Sequence, residues 1–187
     1  VVTEATLTLA GLLATLEANC GDRPFLAVGN EHRTGRELAA AAITAAEALW
    51  QLGFRPGDRL AIHLHRCLDE AVAFLAACLC GGMAVPINPK LKDEQVLHVL
   101  RDCEPFAVVA SATKTALLRE PGRVFAGQRL LHTGVPLPPV LHSQPFGEGS
   151  GRQIDLPELQ PEWPAVILYT SGSTGLSKGI VQPQRNL

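Results

Sequence analysis

The chain has 187 residues and a formal net charge of -2, and 47% of it is hydrophobic, enough apolar material for one full domain with its own core. A balance this near neutral offers no basic field for nucleic acid or an anionic membrane surface, and no apolar run approaches the roughly 20 residues that span a bilayer. Val1 to Ala10 lacks a basic stretch ahead of an apolar one, so it does not read as a secretory signal.

Leu7, Leu9, Leu12, Leu13 and Leu16 fit a short amphipathic helix ending near Gly21. Phe25 to Val28, then Gly29-Asn30, then Glu31 to Thr34 predict a hairpin on a glycine turn. Thr34 and Glu37 have the spacing of a capping box. They open a helix with Leu38, Ala42, Ala45, Leu49 and Leu52 on one face, stopped by Gly53. Arg55-Pro56-Gly57-Asp58 turns into a strand from Arg59 to Leu64. A second helix, Leu68 to Cys80, is apolar on most sides and therefore expected to be covered on both faces. Met83 to Ile87 is a short strand. A third helix carries Asp93 and Glu94 in its first turn and Arg101 in its last, as the helix dipole favours, with Val96, Leu100 and Cys103 as its buried stripe. Phe106 to Ala110 and Gln128 to Thr133 are further strands. Residues 134–164, rich in Pro, Gly and polar side chains, read as a long irregular surface connection. Strands alternating with helices through short connections predict an α/β fold, a parallel sheet with helices on both faces.

Five cysteines, Cys20, Cys67, Cys78, Cys80 and Cys103, complete no zinc pattern with one another or with histidines. They read as buried, reduced thiols of a cytoplasmic protein. His63 and His65 flank Leu64 at a strand end, where alternation would put both on one face, without an acidic or cysteine partner at ligand spacing. They are expected to have no catalytic duty, and His98 is expected on the solvated side of its helix. Trp50 and Trp163 read as packing anchors, and Asp69 and Glu70 as first-turn helix acids. No metal-ligand set is identified.

The most informative stretch is Leu168-Tyr169-Thr170-Ser171-Gly172-Ser173-Thr174-Gly175-Leu176-Ser177-Lys178-Gly179. The β-prone run from Ala165 to Tyr169 leads straight into alternating hydroxyls and glycines. Glycine lets backbone N–H groups turn toward a bulky anion. Ser171, Ser173 and Thr174 add hydroxyl donors, and Lys178 adds a mobile positive charge. Such a set of donors without carboxylates suits a polyphosphate. It is not a Walker A motif, because Ser177 stands where the second glycine belongs. The competing reading is a flexible Ser/Gly linker, which fits poorly with a buried strand directly before it and Gly179-Ile180-Val181 directly after.

This YTSGSTG-x-x-KG stretch resembles the signature loop of the AMP-forming adenylating superfamily, which includes acyl-CoA synthetases, peptide-synthetase adenylation domains and luciferases. The similarity covers nearly the whole chain. Arg33 to Leu38 looks like the first core motif of that superfamily, Gly53 to Ile62 like its LG-x-x-PGDRVAI, and Gly82 to Pro89 like its second core motif. The run NPKLKDEQVLHVLRDC is closer to acyl-CoA ligases than to amino-acid-activating domains, and is particularly similar to AMP-forming acyl-CoA ligases associated with exosortase systems. Two positions depart from the pattern: Ser177 stands where many members have Pro, and Gln184 where many have His before Arg185-Asn186-Leu187.

The resemblance implies a two-step ligation in which ATP activates a carboxylic acid, a fatty acid in the first reading, as an acyl-adenylate, and the thiol of CoA then displaces AMP. ATP, Mg²⁺ and CoA are the implied cofactors. Thr170, Ser171, Gly172, Ser173, Thr174, Gly175 and Lys178 are the residues implied to grip the β- and γ-phosphates, Lys178 having the alternative role of tying the loop down. Two readings stay open beside it, an amino-acid-activating adenylation domain and a non-catalytic module that binds nucleotide or a partner. The adenine, ribose, Mg²⁺ and acyl contacts of the superfamily cannot be mapped onto these residues, nor can its catalytic lysine. The chain starts at Val1, its only methionine is Met83, and it stops just after the strand that follows the loop. It is therefore expected to be the N-terminal portion of the large domain, without adenylating activity of its own, and its open sheet is expected to favour self-association.

Overall fold

The computed structural model describes residues 8–20, 22–111, 114, 129–133, 144–147, 155–170 and 176–187 (for residues 16 and 17, the backbone alone). Apolar periodicity sets the first elements. Helix α1 (Leu9–Cys20) leads to an antiparallel hairpin of β1 (Pro24–Val28) and β2 (Glu31–Thr34). The predicted capping box then starts α2 (Gly35–Gln51): the Glu37 N–H donates to Thr34 Oγ1 at 3.2 Å, and the Thr34 N–H donates to Glu37 Oε2 at 2.8 Å. Two orphan amides of the first turn are satisfied by two side chains.

Strand β3 (Arg59–His63), helix α3 (Leu68–Leu79), strand β4 (Met83–Pro86), helix α4 (Asp93–Cys103) and strand β5 (Ala107–Ala110) follow as predicted. Among the described residues the main sheet adds β6 (Arg129–His132), β7 (Gln144–Pro145), β8 (Pro164–Thr170) and β9 (Lys178–Pro183), in the spatial order β7-β6-β5-β3-β4-β8-β9. Every pairing is parallel except the last, where β9 runs antiparallel to β8. The departure from an all-parallel sheet has a simple cause: a parallel return needs a crossover of about a dozen residues or more, and residues 171–177 are too few. Within 134–164 most residues lie outside the described set. Those described add the short β7 and a run, 155–163, without helix or strand in which Leu159 is buried.

Helices cover both faces. β4 and β5 flank β3 on opposite sides, so right-handed crossovers carry α3 and α4 to opposite faces. One core joins α1, α2 and α3 to Leu60 and Ile62; the other joins α4, through Val96, Val99 and Leu100, to Ala61, Val85, Val108 and Ile167. Strands buried on both faces read as unbroken apolar runs, and β5 is buried at all its positions. Gly82 meets a steric demand: a Cβ there would lie 2.3 Å from the ring of fully buried Phe54 and 2.8 Å from Asp58 O. The ring of Phe54 meets Phe106 edge-on, with centroids 5.5 Å apart.

The end of α4 is held from the sheet. Arg59 donates from Nε to Cys103 O at 2.7 Å and from Nη2 to Glu104 O at 2.6 Å, satisfying carbonyls that the helix leaves open. The cysteines are free. Cys78 Sγ lies 3.2 Å from Ala165 O and Cys80 Sγ lies 3.3 Å from Ala46 O, so the pair faces different elements. Burial pushes the thiols of Cys78, Cys80 and Cys103 up to about 12.

Candidate functional site

In an open α/β sheet, ligands gather beyond the carboxyl ends of strands where outgoing connections diverge to opposite faces. Here that point lies at β3 and β4, and β8 runs parallel beside β4. The carboxyl end of β8, where the hydroxyl- and glycine-rich stretch begins in the sequence, therefore lies at the crevice. A cavity of about 360 Å³ opens there, lined by Ile87, Asn88, Gln95, Val99, Tyr169 and Ser177 among others. Larger concavities among the described residues lie elsewhere, one against α1 and α2, one between the hairpin and α3 and one beside Asn30 to Arg33 at the hairpin turn, and none of these touches β8 or β9.

Of the predicted phosphate-gripping residues, Thr170 closes β8 and Lys178 opens β9, and the two face each other across the last rung of the hairpin. Both are exposed, and Lys178 makes no ion pair among the described residues, which leaves its ammonium group available to an anion. Ser171, Gly172, Ser173, Thr174 and Gly175 lie outside the described residues.

Two flanking residues are anchored. Tyr169 donates from its hydroxyl to Asp102 Oδ2 at 2.5 Å, and His98 Nε2 lies 2.8 Å from Ser177 O. The expectation of a solvated His98 is thus corrected: it is half-buried against the hairpin. Burial, and then the hydrogen bond to the Asp102 carboxylate, push the Tyr169 phenol above its ordinary value, so it remains a donor at neutral pH. The spacing of His98 and Asp102 on α4 was visible in the sequence, but the partner 79 residues away from His98 was not.

The histidine pair also divides. β3 ends at His63, so strand alternation does not reach His65; His63 is 4% exposed and His65 is exposed. His63 Nδ1 is buried without a hydrogen-bond partner among the described residues. Burial first, then the nearby Lys114 and His65 charges, lower the imidazole to about 4, against an opposing effect of Asp93. Asp69 sits in the first turn of α3, 4.0 Å from the Arg33 guanidinium. Trp50 lies under the Arg55 guanidinium at 4.4 Å, and Trp163 packs against Gly81, where a Cβ would come within 2.9 Å. Among the described residues, no cluster of three His, Cys, Asp or Glu side chains could hold a metal ion.

Gln184, at the position that departs from the motif, is 1% exposed. Its Oε1 accepts from the Leu9 N–H at 3.3 Å and its Nε2 donates to Cys78 O at 3.1 Å. The amide ties the start of α1 to the end of α3, a structural role with no local signal in the sequence.

The fold is an open, mostly parallel α/β sheet with a crevice at the carboxyl end of β8, and the comparisons with known proteins give its class. The family described as AMP-binding enzyme matches residues 14–187, and the chain belongs to that family. An L-proline–[L-prolyl-carrier protein] ligase of Streptomyces coelicolor is 32% identical over 183 residues, which is 94% of this chain and 34% of that ligase. A putative long-chain-fatty-acid CoA ligase of Rhodopseudomonas palustris superposes with a TM-score of 0.81 at 27% identity, over 95% of this chain and 44% of that one. An anthranilate CoA ligase in complex with anthranoyl-AMP shares the fold, with a TM-score of 0.80 at 21% identity, over 96% of this chain and 34% of that one. The chain thus spans between a third and a half of these relatives. The relatives include both acyl-CoA ligases and amino-acid ligases.

Proposed function

We propose that the protein is an ATP-dependent acid–thiol ligase and that the β8–β9 connection grips the β- and γ-phosphates of ATP. The observation that carries this reading is positional. A stretch of hydroxyls and glycines with no carboxylate leaves the carboxyl end of a parallel strand, beside a cavity, and ends on an exposed lysine.

A carboxylate is a poor electrophile, because its charge repels nucleophiles and oxide is a bad leaving group. In the proposed reaction a carboxylate oxygen attacks the α-phosphorus of ATP. The bond from that phosphorus to the bridging oxygen breaks, and pyrophosphate leaves with the electron pair. The sulfur of a thiol then attacks the acyl carbon, and AMP departs. Negative charge grows on the leaving pyrophosphate, so donors fixed around it lower the barrier more than donors around the ground state. Thr170, Ser171, Ser173 and Thr174 supply hydroxyls, Lys178 supplies a positive charge, and Gly172 and Gly175 allow backbone amides to approach. Mg²⁺ arriving with the nucleotide would shield the same charge; its protein ligands are not assigned to this chain.

A fatty acid as substrate and CoA as acceptor are the first reading, supported by the likeness to the long-chain-fatty-acid CoA ligase and by residues 88–103. A second reading, an amino acid passed to a carrier protein, is favoured by the 32% identity to the proline ligase. No helix among the described residues is long and apolar enough to cross a membrane, and we place the protein in the cytoplasm, where ATP and CoA are at hand.

The test is ATP–pyrophosphate exchange by the protein at the length its gene encodes, with a panel of fatty acids and a panel of amino acids including proline. Exchange driven by fatty acids, followed by thioester formation on added CoA, supports the first reading. Exchange driven only by amino acids replaces it with the second. Binding of Mg·ATP with no exchange on any acid leaves the non-catalytic module.

A further inference from the structure

We propose that helix α4 is the anchor of the phosphate-gripping connection, with His98 and Asp102 as positioning residues for the β- and γ-phosphates of ATP. This rests on the function proposed above. His98 and Asp102 stand one helical turn apart and so on one face of α4. Asp102 accepts the hydroxyl hydrogen of Tyr169, the residue just before Thr170. His98 reaches the carbonyl of Ser177, the residue just before Lys178. A carbonyl only accepts, so Nε2 carries the proton in this contact. Both ends of the connection are therefore tied to one rigid element.

The ladder to β4 does not reach the ends of the connection. β8 meets β4 at a single register pair, Ala84 with Val166. From Ile167 to Thr170 its ladder partner among the described residues is β9 alone. A hairpin ladder fixes two strands to each other, so beyond Val166 the tip is joined to the rest of the molecule by side chains, through the packing of Ile167 and Tyr169 and the two hydrogen bonds to α4. The lateral restraint at the tip comes from α4, which is packed on the sheet through Val96, Val99 and Leu100.

Gly179 completes the device. It faces Tyr169 across the ladder, and a Cβ there would lie 3.1 Å from Tyr169 Cζ, 3.3 Å from its hydroxyl and 2.8 Å from Ile167 Cγ2. The missing side chain is what lets the phenol lie across β9 at the height of Asp102. The glycine after Lys178 thus serves close packing, not backbone freedom.

Donors that stabilise a developing charge must be held to within a fraction of an ångström, so loosening either tie should weaken binding of the β- and γ-phosphates and spare the rest of the nucleotide. The experiment is calorimetric titration of the protein, at the length its gene encodes, with Mg·ATP and separately with AMP, which lacks those phosphates. Tyr169→Phe and His98→Leu should each weaken Mg·ATP about tenfold, the size expected for one hydrogen bond to a charged or strongly polarised group, and leave AMP binding within twofold. His98→Gln, which keeps an N–H donor near the Nε2 position, should recover most of the ATP affinity. Weakening of ATP and AMP in parallel would mean a general loss of structure and overturn the inference, as would an equal loss in His98→Gln and His98→Leu. Lys178→Ala separates the two levels of the account. If it weakens Mg·ATP while Tyr169→Phe and His98→Leu do not, the anchoring role fails and the phosphate-gripping role stands. If Lys178→Ala has no effect either, both fail.

Discussion

Acid should destabilise this fold through the buried imidazole of His63. Its imidazole sits at the carboxyl end of β3, 4% exposed, with Nδ1 unpartnered among the described residues. Its value falls from 6.5 to about 4, through burial first and then through Lys114 and His65, while Asp93 pulls the other way. In the unfolded chain the same group takes up a proton near its ordinary value. Above pH 6.5 both states hold it neutral, and its contribution to stability is fully present. As pH falls toward 4 the unfolded state gains a proton that the folded state refuses, and stability is lost across that window. At about 1.4 kcal/mol per pH unit the whole window is worth ~3 kcal/mol, of which about 2 kcal/mol is gone by pH 5. The assay is urea unfolding followed by tryptophan fluorescence, at pH 7.5 and pH 5, on the wild type and on His63→Leu. The leucine variant keeps the volume and removes the titration. Whatever its stability at pH 7.5, it should lose about 2 kcal/mol less than the wild type on acidification. Equal losses in the two proteins would refute the reasoning.

Two further substitutions probe the packing that positions the site. Gly82→Ala drives a methyl group to 2.3 Å from Phe54 and 2.8 Å from a backbone carbonyl, so urea unfolding should show a loss at or above the upper end of the ~1–3 kcal/mol usual for overpacking; a loss under 0.5 kcal/mol would show that the Phe54 pocket yields easily. Gln184→Ala leaves the Leu9 amide without its buried partner and takes one of two donors from the Cys78 carbonyl, which keeps the Gly81 N–H at 3.0 Å. The expected cost is about 1–2 kcal/mol, with faster hydrogen exchange at the start of α1, and unchanged exchange there would count against the tie.

Much of this fold was legible because its signals are local. The Thr34–Glu37 box, the glycine turn at Gly29, the apolar face of α2 and the charge order of α4 each act within a few residues, and each appears where the sequence places it. β5 was legible for the opposite reason: an unbroken apolar run has no solvent face to choose, so it belongs inside a covered sheet. The antiparallel return of β9 could have been read from the shortness of residues 171–177, and the habit of βαβ alternation hid it. His98 lay beyond reach, since α4 has a polar side on which a histidine is unremarkable and its contact comes from a hairpin far along the chain. The burial of Gln184 lay beyond reach for the same reason: nothing near it in the sequence shows that α1 and α3 converge on it. Gly179 passed as a loop glycine because a sequence shows the missing side chain and not the tyrosine ring that fills its place.

The measurement that bears most directly on the proposed function is hydrogen–deuterium exchange of the protein, at the length its gene encodes, read by mass spectrometry with Mg·ATP, with AMP and with no ligand. If residues 168–179 grip the outer phosphates, peptides covering them should exchange more slowly with Mg·ATP than with AMP or with no ligand. Slower exchange confined to other segments, with 168–179 alike in all three conditions, would contradict the account.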